Sequence, residues 1–162
     1  MRVAFGHQIF SYQQYGGVSR YFSGLAKGLM AIDGVDARVI CPIYCNEYLR
    51  HLEKGLVQGR WVPLMANTWK IRSVLNVLLT RLALRSFAPG IIHETYFSRD
   101  GYRLKGSRNV ITVFDMVPER LGVQQDHGDR VAEVKRRSIE RADHVICISE
   151  STKNDLLELI PI

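Results

Sequence analysis

Two adjacent glycines, Gly16 and Gly17, precede Val18-Ser19-Arg20-Tyr21 and follow a short apolar stretch, Val3 to Phe5. Paired glycines at the start of a helix let the backbone approach a ligand closely. They also leave the helix's first N–H groups free to attract an anion. The loop before them holds Gln8, Tyr12, Gln13, Gln14 and Tyr15. Amides and phenols hydrogen-bond hydroxyl groups, and aromatic rings cover a sugar face. This combination suits a phosphate beside a polyol. The plainer reading is that Gly16 and Gly17 only make the turn. A dinucleotide fingerprint would set its glycines directly after the strand in a Gly-x-Gly-x-x-Gly frame. Here nine residues, His7 to Tyr15, intervene and the third glycine is missing, which disfavours a nicotinamide or flavin site.

Further groups able to do chemistry fall where apolar runs end: His7, then His93-Glu94-Thr95-Tyr96, then Phe114-Asp115, then Ser149-Glu150-Ser151-Thr152. In open α/β sheets ligands bind beyond the carboxyl ends of the strands. Each of these groups alone reads equally as a cap or a loop hydrogen bond, and their recurrence at four strand ends argues for one shared cleft.

The elements that must position these groups can be read from the apolar pattern. Val18, Phe22, Leu25 and Leu29 make the stripe of an amphipathic helix. Residues 37–41 predict a second strand stopped by Pro42, 47–53 a short helix, and 60–62 a third strand ended by Pro63. Residues 69–87 carry the longest helical pattern, with Ile71, Val74, Leu75, Leu78 and Leu82 on one side. Strands follow at 91–93, 110–114 and 144–148. A Gly101-containing loop occupies 94–109, an irregular stretch 115–126, a helix 131–142, and a last helix runs from the Ser149 region to Leu159. Helices alternating with short strands imply an open parallel α/β sheet with right-handed crossovers.

Length and composition suit one soluble domain of 162 residues, 46% hydrophobic and 23% charged. No apolar run is long enough for a membrane span, and the chain passes straight into strand-like Arg2-Val3-Ala4-Phe5 without a signal-peptide pattern. Cys41, Cys45 and Cys147 are an odd set without a Cys-x-x-Cys pair, which suits free thiols in a reducing, cytoplasmic compartment and no zinc site. Residues 54–93 hold Lys54, Arg60, Lys70, Arg72, Arg81 and Arg85 and no carboxylate, the whole of the chain's formal charge of +6. This segment faces an anionic partner, such as the inner membrane surface or a lipid-linked acceptor, or is a core-packed helix with solvated basic ends. Nucleic acid is disfavoured, because the basic residues lie along an apolar helical pattern rather than within a recognised binding motif.

The Gly-Gly-Val-Ser-Arg loop, Ile92-His93-Glu94-Thr95-Tyr96, Thr112 to Glu119, and Ala142 to Leu156 come in an order that resembles the N-terminal half of GT-B glycosyltransferases. The likeness is greatest to family-4 enzymes, particularly bacterial mannosyltransferase-like members that build cell-surface polysaccharides, and it covers essentially the whole chain. The resemblance implies a Rossmann-like open parallel sheet with helices on both faces. Residues 1–162 would be the acceptor-side domain, and the donor-binding domain would be absent from this chain. It implies a retaining transfer from a nucleotide-sugar donor to a glycan or lipid-linked acceptor, without a metal or other cofactor; it is the basic segment 54–93 that points to a cytoplasmic enzyme peripheral on the inner face of the membrane. On this reading Gly16 and Gly17 approach the donor phosphates and Asp115 positions the acceptor hydroxyl. His7, Tyr15, Arg20, Glu94, Ser149 and Glu150 line the cleft. Family members commonly read Thr-x-His-Asp after the fifth strand. Phe114 occupies the histidine position here, which leaves open whether His93 or His7 makes that contact. The competing expectation is a noncatalytic nucleotide- or anion-binding module of the same fold.

Overall fold

A computed structural model describes residues 1–53, 55–121 and 128–160. Six strands, β1 (Arg2–Phe5), β2 (Asp36–Tyr44), β3 (Val57–Trp61), β4 (Ile91–Glu94), β5 (Arg108–Val113) and β6 (His144–Cys147), form one sheet in the order β3-β2-β1-β4-β5-β6. Every neighbouring pair is parallel. The connections carry helices α1 (Gly17–Met30), α2 (Glu47–Arg50), α3 (Trp69–Phe87), α4 (Val117–Arg120) and α5 (Gly128–Glu140), and α6 (Glu150–Leu159) follows β6. The expected Rossmann-like α/β sheet is therefore present. Its strand order reverses between β1 and β4, so the ends of those two strands open the crevice at which such sheets bind ligands. The irregular stretch expected at 115–126 contains α4, and 122–127 lie outside the described residues.

Side-chain alternation along the strands divides the core into two layers. Val3, Phe5 and Val39 pack with Phe22 and Ala26 of α1. Ala4, Ile40 and Ile92 point the other way and pack with Leu84 and Phe87 of α3. A third cluster, Val113 with Met116, Ile139 and Leu156, closes the β5 end.

Two sequence expectations need correction. Pro42 does not stop β2. The strand runs on to Tyr44, and the register against β3 shifts between Ile40 and Ile43. A bulge accommodates the missing N–H of proline. Opposite it, Gly59 lies so close to the Cys41 carbonyl that any Cβ would overlap the backbone. The second correction concerns α3, whose predicted limits hold but whose apolar side does not face the core. Its buried residues are Arg72, Asn76, Thr80, Leu84 and Phe87, while Ile71, Val74, Leu75, Leu78 and Leu82 are exposed.

Hydrogen bonding explains the inversion. Beyond Val39 the β1–β2 ladder has ended, and backbone groups there still require partners. Asn76 Oδ1 accepts from Ile43 N at 2.8 Å, and its Nδ2 donates to Ile43 O at 2.9 Å. Arg72 donates to the carbonyls of Val62 at 3.2 Å and Pro63 at 2.7 Å. The buried polar row of α3 thus completes the end of the sheet.

Candidate functional site

Thr95 joins the strand ends at the crevice. Its hydroxyl donates to Gly6 O at 3.0 Å and accepts from Ile9 N at 3.2 Å, while its N–H donates to Gln8 Oε1 at 3.3 Å. These bonds fix the tight turn Ile9–Ser11 above β1. The glycine loop then folds over the end of β2. Fully buried Asn46 donates to Gln13 O at 2.7 Å and Gln14 O at 3.2 Å, and its side chain accepts from Leu49 N to cap α2.

Gly16 is extended, a conformation open to any residue, so its use is not explained by backbone strain. In the first turn of α1, Ser19 N donates to Gln13 Oε1 at 3.2 Å. Gly17 N and Val18 N have no acceptor among the described residues. A Cβ on Gly17 would meet nothing within 4 Å. The helix thus presents two free donors to open space, together with the positive end of its dipole. Tyr15, 65% exposed, stands edge-on to Tyr48 beside them, and Arg20 is exposed one turn along.

Asp115 lies just beyond β5 with its side chain exposed. Its carbonyl accepts from Lys135 Nζ at 2.7 Å, and Lys135 also pairs with Glu119 at 2.9 Å, so the backbone beneath this carboxylate is tied to α5. Tyr96 adjoins Asp115. Burial, and then the charges of Asp115 and Glu119, push its phenol pKa upward. Tyr12 stands edge-on to Tyr96, and Tyr21 of α1 stands edge-on to Phe114 at 5.3 Å. Aromatic contacts therefore bring the glycine-loop helix and the Asp115 loop to one edge of the sheet.

The remaining residues named from the sequence divide between exposed and enclosed positions. His93 is buried between Phe5 and Phe22 and hydrogen-bonded through Nε2 to Thr112 Oγ1 at 2.9 Å. Burial lowers its pKa to about 4, so the ring is neutral at pH 7. Glu94 is also enclosed. It pairs with Arg141 at 2.7 Å and accepts from Ser98 Oγ at 3.0 Å, which ties the loop after β4 to the residue following α5. Ser149 caps α6 by accepting from Thr152 N, and exposed Glu150 pairs with Lys153 in the same helix.

His7 lies on the α3 side of the crevice, with Nδ1 2.9 Å from Tyr102 Oη and its pKa lowered by burial to about 4. A cavity of about 340 Å³ opens there, lined by His7, Gln8, Tyr12, Arg81, Arg99 and Asp100 among others. Gln8 is buried, and its Nε2 has no partner among the described residues. An orphan amide donor beside this cavity can bind a hydroxyl or carbonyl oxygen. The supporting residues Asn46, Lys135 and Tyr102 carry no signal in the sequence. Each acts across more than 15 residues of chain, and no local spacing marks such a contact.

A parallel sheet of this order, with an anion-receptive helix start after β1 and an exposed carboxylate beyond the end of β5, defines a Rossmann-like α/β domain of the kind that forms one half of a GT-B transferase. The family model for Glycosyltransferase Family 4 matches residues 15–162, and the chain belongs to that family. It is a glycosyltransferase domain, whose substrates are a sugar donor and an acceptor. Comparison with curated proteins finds no match.

Proposed function

We propose that this domain is the acceptor-side half of a retaining glycosyltransferase. It would move a sugar, with mannose the first to test, from a nucleotide-sugar donor to a glycan or lipid-linked acceptor of a cell-surface polysaccharide. The observation that carries the proposal is the pair of unpartnered N–H groups at Gly17 and Val18, at the start of the helix whose Tyr21 stands against Phe114, the residue before exposed Asp115. The N–H pair receives the donor's diphosphate and stabilises the negative charge that develops as the glycosidic bond to it breaks. Asp115 accepts a hydrogen bond from the incoming acceptor hydroxyl and orients it. Gln8 Nε2 and His7 serve the acceptor sugar in the neighbouring cavity. Cys41, Cys45 and Cys147 are all free thiols, which supports placement in a reducing cytoplasm.

The test is nucleotide-sugar kinetics in the enzyme that carries this domain. Gly17→Val puts branched carbons beside the free donors, at a position where an added Cβ meets no atom of the surrounding structure within 4 Å. A rise in donor KM of tenfold or more is expected with an unchanged melting temperature. Asp115→Asn should lower kcat by roughly 100-fold, at the lower end of general acid–base and positioning effects. Parental donor KM in Gly17→Val would remove the glycine loop from the site.

A further inference from the structure

We infer that the outward face of α3 is a docking surface for an anionic lipid bilayer. Ile71, Val74, Leu75, Leu78, Leu79 and Leu82 are between 39% and 66% exposed, and together they make a continuous apolar stripe on one side of a 19-residue helix. Leu64 and Met65 in the preceding loop are exposed as well, and exposed Trp69 in the first turn stands against Lys70. Single exposed leucines are ordinary, whereas a contiguous patch of this kind marks an interaction site. The fold cannot bury it, because the opposite side of α3 is committed to the strand-end backbone through Arg72 and Asn76.

Charge identifies the occupant. At about 100° per residue, Lys70 and Arg81 lie along one flank of the stripe and Arg85 just inside that flank, beyond the last leucine of the stripe, and all three are exposed. Residues 54–93 contain no Asp or Glu. A second copy docking face to face would bring like charges together without a carboxylate to answer them. Anionic headgroups complement the flank while acyl chains receive the leucines, the arrangement of a helix lying in the interface plane. Among the described residues no helix is long and apolar enough to cross a membrane, so the contact is one of lying on the surface. Val77 and Arg81 of the same helix also line the cavity beside His7. On the transferase reading, which the docking itself does not require, a lipid-linked acceptor would thus meet the site from the bilayer.

The test is cosedimentation of the 162-residue chain with vesicles of equal parts phosphatidylglycerol and phosphatidylcholine, and with phosphatidylcholine alone. Binding is expected to the anionic vesicles and to weaken as salt is raised. Leu78→Ser with Leu82→Ser should weaken it at least tenfold, with the thermal melt unchanged because both side chains are already exposed. Lys70→Gln, Arg81→Gln and Arg85→Gln together should weaken it about 100-fold, at roughly fivefold per basic residue. Trp69 emission should shift to the blue on binding, and Trp69→Phe should abolish that shift. Equal pelleting of the leucine variant, or equal binding to neutral vesicles, overturns the proposal. So does a dimer that depends on Leu78 and Leu82 in a chain that binds no vesicle, since the face would then belong to a second copy.

Discussion

Glu94 and Arg141 show how a carboxylate at a strand end can be structural. The Glu94 side chain is 3% exposed and that of Arg141 is 14% exposed. The guanidinium also donates to Arg99 O and to the hydroxyls of Ser98 and Ser138. Gly101 lies against the pair with φ +58°, and a Cβ there would overlap both Glu94 Oε1 and Arg141 Nε. A buried ion pair adds little net stability, but removing one partner strands the other charge. Arg141→Met is therefore expected to lower unfolding free energy by about 3 kcal/mol. Glu94→Gln also unpairs a charge, but its amide oxygen still accepts from Ser98 and the guanidinium left behind is the more exposed partner, so it should cost less. Urea unfolding of the two variants measures the difference, and equal losses would contradict this account. Asp115, at the end of the neighbouring strand, has the opposite character: its backbone is fixed by Lys135 and its carboxylate is left in the open.

At the scale of the element, α3 reverses the usual relation between pattern and burial. Leu78→Ala should change stability by no more than about 0.5 kcal/mol, as at an ordinary surface position. Asn76→Ala removes both bonds to Ile43 and leaves its part-buried N–H and C=O unpaired, at a cost of about 2 kcal/mol. Chemical denaturation of the pair gives the ordering directly, and a larger loss for Leu78→Ala would return the apolar stripe to the core. The contrast also shows what the sequence could convey. A 3.6-residue period located α3 between Trp69 and Phe87, because helical geometry alone sets that period. It could not say which side faced inward, since that depends on backbone groups outside the helix that need partners: those of Ile43, 33 residues before Asn76, and the carbonyls of Val62 and Pro63 in the loop ahead of Arg72. For the same reason Pro42 read as a stop. The bulge that admits it requires Gly59 on the neighbouring strand. The strand-end groups at His7, Glu94, Asp115 and Ser149 were legible as positions in the fold. Their division into exposed Asp115 and Ser149 and enclosed His7 and Glu94 was not, because burial is decided by α3, α5 and the loop after β4.

For the whole molecule, the two buried histidines couple both core layers to pH. His93 lies against Phe22 on the α1 side of the sheet, and His7 meets Thr80 and Tyr102 on the α3 side. Each has its pKa lowered by burial to about 4, from an ordinary value of 6.5. Between those values the unfolded chain binds protons that the folded chain does not, so stability rises with pH across this window. The stability associated with neutral His7 and His93 is fully present above pH 6.5 and is lost as pH falls toward 4. A shift of this size corresponds to roughly 3 kcal/mol for each ring. Two such losses rival the stability of an ordinary domain. The folded chain should therefore reach its acid transition above the range set by its carboxylates alone. His7→Gln with His93→Gln keeps polar side chains of similar reach at both positions and removes the titration. The double variant is expected to show a urea midpoint that changes little between pH 7 and pH 5, whereas the parent midpoint falls. Parallel slopes for the two proteins over that interval would mean that other groups drive the acid response.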